Sequence, residues 1–453
     1  MKNTIIRILS SALLLMLLLS VAACKKDGQD APLGTDVGRD SATESNSGNS
    51  DNGDTDGEGD TLEIDIPTLA GGAIYKSVYD ADDTTMLYWE NVTAEAVAAY
   101  ESALAEMGYT AGESSDNTSI WAAVYTKSDV TVHAYYLKRL SELRVLRSDK
   151  AALPDVYGGG EKLCEISVTQ MGTDPTTPSG GMGYIIQLED KSFIIIDGGS
   201  NLNSDPAALY QKLDEMNGDA EKITVSAWFF THNDPEHYGA LMSYMGAYDE
   251  VLDIKMIVAN DAPNDVYKEL GATSGGLSFS MLDGTFGGAK YVKAHTGQKF
   301  SFAGLEMNIL YTHEDANALS TTSIHSKNAT VFDAVLGEER IIWLGDIEKD
   351  GADRLATMYG EDLNCTVLQV SGGADMGSEA LYKKCAPKTV LYSAPKTVAD
   401  NSASEAKDIY LMQNSERVIY SYNGTLTLSF SGNIDIGDTT GSADENDRYT
   451  NDY

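Results

Sequence analysis

The residues Ile223-Thr224-Val225-Ser226-Ala227-Trp228-Phe229-Phe230 run directly into Thr231-His232-Asn233-Asp234-Pro235-Glu236-His237-Tyr238-Gly239. The first eight are β-branched, aromatic or small, with apolar side chains on both parities, which predicts a strand buried on both faces. Pro235 is suited to the first position of a helix, where its missing N–H would have had no partner anyway. His232 and Asp234, two apart on extended backbone, point to the same side, and Glu236 and His237 fall on the first turn of the helix. Two imidazoles and two carboxylates therefore gather at the end of a buried strand, a donor set that suits one or two divalent cations. Only six histidines occur in the chain, and two of them are here. The other reading of such a stretch is a polar loop with solvated acids.

Outward from this stretch, strands alternate with helices. Tyr184 to Leu188 and Phe193 to Ile196 are short apolar runs, and the second leads into Asp197-Gly198-Gly199. A helix is expected from Asp205-Pro206 to about Gly218. Before Gly158-Gly159-Gly160 the pattern differs: Thr93 caps a helix whose Val97, Tyr100, Leu104 and Met107 recur at helical spacing, and Gly108 ends it. Ile120 to Thr126, Val130 to Leu137 and Glu142 to Arg147 then read as three strands linked by polar turns. Residues 61–154 are thus expected to form a small α+β domain for packing or recognition. His133, alone in one of its strands, reads as structural.

The N-terminus carries a different signal. Lys2 and Arg7 precede an apolar run from Ile8 to Val21 that ends at Ala22-Ala23-Cys24, the layout of a secretory signal. At 14 residues the run is short of the roughly 20 needed to cross a bilayer as a helix. Residues 25–60 are Gly, Ser, Asn and Asp with almost no large apolar side chain, a composition that does not bury enough surface to fold; residues 433–453 read as a second disordered acidic segment. The chain has a formal charge of −37, most of it between residues 61 and 432, which repels polyanions and makes nucleic acid an unlikely partner. Besides Cys24 there are only Cys164, Cys365 and Cys385, without paired spacing, so no disulfide framework is expected and the cysteines read mostly as small buried side chains.

Two resemblances organise these readings. Val21-Ala22-Ala23-Cys24 resembles the lipobox of bacterial lipoproteins, which implies a signal peptide over 1–23, lipid on Cys24, a lipidated disordered linker over 24–60, and a chain held at the extracellular face of the cell membrane. His232-x-Asp234-x-Glu236-His237 resembles the His-x-His-x-Asp-His signature of the metallo-β-lactamase superfamily, and its second-position aspartate is similar to the branch of competence-associated hydrolases. Asp197-Gly198-Gly199, Asn328-Ala329-Thr330-Val331 and Leu344-Gly345-Asp346 resemble further motifs of that branch. The implied fold class is α/β, a metallo-β-lactamase-like αββα sandwich over 155–432, preceded by the small α+β domain.

The resemblance implies that His232 and Asp234 hold one metal, that Glu236 and His237 hold another, that Asp346 bridges them, and that Asp197 orients a ligand histidine from behind. His325 lies near where many members place a further ligand. His295 and His313 read as loop or surface residues. The implied cofactors are one or two divalent ions, zinc foremost, with manganese or iron also compatible; with glycines in place of the last ligand motif, a single-metal site or none at all is the other reading. The implied activity is hydrolysis of an extracellular ester, phosphoester or similar bond in a small-molecule or cell-envelope substrate, by water activated at the metal, with Glu236 handling the proton. Two departures stand out. Glu236 is one methylene longer than the family's aspartate. Ser371-Gly372-Gly373-Ala374 stands where the family has His-His-Gly-Ser, so a ligand to the second metal is missing. The alternative function is therefore a degenerate domain of the same fold that binds without turnover.

Overall fold

In the computed structural model the described residues are 65–69, 73–76, 85–148, 165–173, 181–200, 205–218, 220–244, 250–260, 279–302, 304–315, 329–372, 376–431 and 437–439. The leader, Cys24, the tether, Cys164, His325 and Asn328 lie outside them.

Two sheets face each other. The first joins the strands Gly183–Gln187, Phe193–Asp197, Ile223–Phe229, Met256–Ala259 and Lys290–Lys293 with Glu165–Gln170 and Leu426–Ser431. Phe193–Asp197, Ile223–Phe229, Met256–Ala259 and Lys290–Lys293 are parallel neighbours, so their C-terminal ends lie side by side. The second sheet runs from Lys299–Phe302 through Leu305–Tyr311, Val331–Leu336, Glu339–Trp343, Val367–Gln369 and Thr389–Tyr392 to Arg417–Tyr420. Side chains that alternate along both sheets meet in one core: Ile194, Ile196 and Phe229 from the first pack with Phe300, Phe332 and Trp343 from the second. Such burial supplies ~1.5–3 kcal/mol per large apolar side chain, the main term holding the layers together.

The outer faces are covered by helices. Asp205–Asn217 and Pro235–Tyr244 turn Leu209, Leu213, Ala240, Leu241 and Tyr244 inward, and a Cβ on Gly198 would touch Ala240, Trp228 and Leu209. On the other side Lys349–Tyr359, Glu379–Cys385 and Ala406–Asn414 cover the second sheet, with Leu355, Tyr382 and Leu411 packed on Ile342, Leu368 and Val390. The order helix, sheet, sheet, helix is the metallo-β-lactamase-like αββα sandwich expected from the sequence. Cys365 and Cys385 are free and buried.

The N-terminal region forms a separate six-stranded antiparallel sheet in the order Ala73–Lys76, Thr85–Trp89, Glu142–Ser148, Val130–Leu137, Ile120–Lys127, Thr110–Asp116. Three of these strands were legible; the other three were not. The helix Ala94–Glu106 is capped by Thr93, whose side chain accepts from Ala96 N, and buries Val97, Tyr100 and Leu104. Met107 sits at its C-cap and is exposed, because the helix ends one residue before the apolar spacing does. Ile120, Ala122, Tyr135 and Leu146 of this sheet pack against Leu310, Val331 and Tyr359 of the sandwich, and the residues from Ile66 onward form one compact unit. Gly437–Thr439, within the segment expected to be disordered, pairs with Leu426–Ser431, where a sheet edge offers unpaired ladder groups.

Candidate metal centre

The strand Ile223–Phe229 delivers Thr231 to His237 to the rim where both sheets end. Its parallel neighbour ends in Asp197, and Asp346 lies three residues beyond the strand Glu339–Trp343 of the facing sheet. The two rims touch closely: a Cβ on Gly345, whose φ is +55°, would lie 2.6 Å from Thr231 Cβ, so only glycine lets Asp346 approach the motif loop.

Asp197 takes an unusual left-handed conformation, φ 52°, held because its buried carboxylate is fully engaged. Thr231 N donates to Oδ1 at 2.8 Å, Thr231 Oγ1 donates to Oδ2 at 2.7 Å, and His237 Nδ1 donates to Oδ2 at 2.7 Å. Because the Thr231 hydroxyl proton is committed to Asp197, Oγ1 accepts from His232 Nδ1 at 3.1 Å. Each imidazole is thereby fixed with Nδ1–H inward, and Nε2 is left for a ligand. Those two Nε2 atoms lie 4.0 Å (His232) and 3.6 Å (His237) from Asp346 Oδ2. Among the described residues, the three side chains form one group whose donor atoms all lie within 4.8 Å of one another.

Burial dominates the electrostatics. It pulls His232 down to about 4, helped by the adjacent His237, so this imidazole is neutral at pH 7. Burial also disfavours charge on His237, but the Asp346 and Asp197 carboxylates outweigh it and hold His237 well above its usual range. For Asp346 burial acts upward, and His237 and His232 overcome it, so the carboxylate is lowered. A positive charge between these groups is what the arrangement favours.

The residues present fit a cation: two oriented imidazoles and one carboxylate whose other ends are occupied. Asp234 and Glu236 remain outside this group; both are half-buried, and the Asp234 charge is felt at His232. The strand Val367–Gln369 leads to Ser371 and Gly372, and a Cβ on Gly372 would stand 2.7 Å from Asp346 Oδ1. A side chain at that position therefore requires Asp346 to move.

Sequence reading gave Thr231 and Gln369 no role. Thr231 sets the His232 tautomer. Gln369, buried, accepts from Leu344 N at 2.7 Å and Gly345 N at 2.8 Å through Oε1, which pins the loop that carries Asp346. Nothing in the residues around Gln369 signals this. Thr231 could have been weighed as a hydroxyl adjoining a ligand. His295, expected at the surface, is mostly buried and its Nδ1 pairs with the buried Glu314 carboxylate at 2.9 Å. His313 lies in a single 3₁₀ turn with both ring nitrogens buried.

No protein-family profile matches the chain, and no curated protein matches it by sequence. Among solved structures it is similar to CmlA, a diiron β-hydroxylase from Streptomyces venezuelae, with 11% identity over 60% of this chain and 55% of that one and a TM-score of 0.35. It is similar to a long-form RNase Z from yeast, with 9% identity over 63% and 44% and a TM-score of 0.32. A metallo-β-lactamase from Staphylococcus aureus shares 9% identity over 54% and 66% with a TM-score of 0.29. The chain spans about half the length of the first of these.

Proposed function

We propose that this protein is a metal-dependent hydrolase with a single-metal centre, held outside the cytoplasm by lipid on Cys24. The convergence of His232 Nε2, His237 Nε2 and Asp346 Oδ2 carries the reading. Three protein donors suit a catalytic site, because they leave positions open for substrate and water. When bound, a divalent cation polarises a substrate oxygen and lowers the pKa of water. The protein's own part is to hold that cation in fixed geometry: Asp197 and Thr231 orient the imidazoles, and Gln369 and Gly345 place Asp346. Glu236, on the first turn of the helix that carries His237, is the proposed acceptor for the proton of the attacking water. The nitrogen and oxygen donors favour zinc and accommodate manganese or iron. The proposed substrate is an ester, phosphoester or similar compound of the cell envelope or its surroundings. Lipid on Cys24 keeps the domain near the membrane, and two or more acyl chains give stable anchoring.

Gly372 supports a second reading, binding without turnover, since the strand end that completes a second metal site in the family contributes no ligand here. The full-length protein is expected to purify with about one equivalent of metal, to lose it in the His232→Ala, His237→Ala double variant, and to cleave chromogenic esters or phosphodiesters. Metal without cleavage favours the binding reading. A protein that takes up no metal on reconstitution overturns the hydrolase reading.

A further inference from the structure

A cleft of about 1150 Å³ runs between the N-terminal sheet and the sandwich, away from the three metal-ligand candidates. Ligand pockets for drug-sized molecules span about 300–1,000 Å³, so this cleft has room for an extended molecule. Its wall chemistry is specific. Charged side chains that line it are matched within the protein: Lys299 with Glu306 at 3.1 Å, Arg340 with Asp333 at 2.6 Å, and His295 with Glu314 behind it. Asp116 is met by Lys138 and Asp362 by the Ser119 hydroxyl; Glu113 and Lys293 also line the cleft, and with acids exceeding bases by two across this lining an anionic ligand is disfavoured.

Neutral polar groups remain instead. Asn117 Oδ1 accepts from Ser119 N and Ile120 N, both at 2.9 Å, which commits its carbonyl and leaves its NH₂ to donate. Gln298 Oε1 accepts from His295 N at 2.7 Å, with the same result. Asn308 is fixed the opposite way: its Nδ2 donates to Asp333 Oδ1 at 2.7 Å, and its carbonyl remains as acceptor. On the inner wall His133, 4% exposed, donates from Nε2 to Thr296 O at 2.9 Å, with its Nδ1 buried behind the surface of the wall. These rigid donors and acceptors are interleaved with apolar wall from Ala122, Leu146 and Ile309.

From this lining we infer that the cleft is a binding site for an uncharged, hydroxyl-rich chain, an oligosaccharide. A hydroxyl donates and accepts at once, so it satisfies both kinds of fixed amide, and the C–H faces of sugar rings match the apolar wall. A peptide, whose backbone groups each act one way, requires a regular ladder of partners that the mixed amides do not supply.

The test uses the full-length protein, demetallated so that binding is read apart from any metal chemistry. An array of uncharged oligosaccharides, including chitotetraose and maltotetraose, is screened, and hits are titrated by calorimetry. Binding of at least one is expected, weakened roughly 5-fold or more by Asn117→Asp and by Gln298→Glu, each of which keeps the pinned oxygen and removes the donor. Thermal unfolding at the wild-type midpoint shows that the variants fold. An array without hits overturns the inference; so does a hit whose affinity neither variant changes, or one displaced by an unstructured peptide and not by free sugar. Metal content, measured separately, decides the hydrolase reading by itself.

Discussion

Two buried polar clusters in this molecule are built from the same kinds of side chain and end differently. At the seam between the N-terminal sheet and the sandwich, Asp315 accepts from Tyr135 Oη at 3.0 Å, Arg144 Nη1 at 3.2 Å, Thr312 N at 3.1 Å and Thr296 Oγ1. Arg144 Nη2 also reaches Glu142 at 3.2 Å, and Arg354 joins Glu142 and the Asp315 carbonyl. Charge is met by charge from within the protein. At the rim of the sandwich, Asp197 is equally saturated, but the groups it supports are not: two imidazoles and Asp346 face one another at 3.6–4.0 Å, beyond hydrogen-bond length. A closed network fixes the fold, and one left open at a single point fixes a site for something else.

The largest expected effect tests the closed cluster. Arg144→Ala leaves Asp315 and Glu142 as buried carboxylates short of a cation, and breaking a buried pair in this way costs about 3–5 kcal/mol. Urea unfolding of the full chain is expected to show that loss as a lower midpoint, with metal content of the folded fraction unchanged. If stability holds and metal is lost instead, the division between a structural seam and a functional rim fails.

A smaller effect is expected from the support of the open cluster. Asp197→Asn keeps the size of the side chain, and asparagine tolerates φ 52°. It presents either an NH₂ or one carbonyl where the carboxylate took three donors, so the His237 tautomer is no longer fixed. Loss of such a partner typically weakens metal binding 10–100-fold. Competition with a chromophoric chelator measures this directly, and stability close to that of the wild type distinguishes it from unfolding. Equal metal affinity in the variant removes Asp197 from the centre.

The two clusters also differed in how legible they were. His232 and His237 stood out as imidazoles just beyond a buried strand, and Asp197 and Asp346 through motifs that resemble those of a known superfamily; Asp197 closes the parallel neighbour of that strand, so those two ends come together whatever the intervening loops do. The sandwich followed from that resemblance, the alternation by itself giving only strands interleaved with helices. The seam left no such trace: Asp315 follows Leu305–Tyr311 in a short turn, Arg144 lies inside a strand, and 170 residues separate Arg144 from Glu314. Thr110–Asp116 reads Thr-Ala-Gly-Glu-Ser-Ser-Asp, with neither alternation nor bulk, and becomes a strand because its neighbour Ile120–Lys127 offers a ladder. Asp234 and Glu236 were read as ligands from their spacing and from the resemblance; they lie outside the group of His232, His237 and Asp346, and the onset of the helix at Pro235 governs where each points. Gln369 acts on Asp346 through backbone 24 and 25 residues away, a relation created only by the pairing of Glu339–Trp343 with Val367–Gln369.

The last effect, an upper bound whose pH slope His133 shares with His232, concerns the seam's histidine. Burial, with a further contribution from the stacked His295, lowers His133 from 6.5 to about 4. Because the folded value is below the unfolded one, the unfolded chain binds the extra proton first. The stability that neutral His133 contributes is fully present above about pH 6.5 and is lost as pH falls toward 4, at most ~3 kcal/mol across that window. His232 is depressed over the same range, so the wild-type slope contains both. His133→Gln keeps a side chain able to donate to Thr296 O and cannot titrate. Urea unfolding at pH 7 and pH 4.5 is expected to show a shallower loss in the variant, while the pH dependence of metal uptake is unchanged. If the two proteins lose stability in parallel, His133 is not the group that titrates, and the acid sensitivity belongs to the rim.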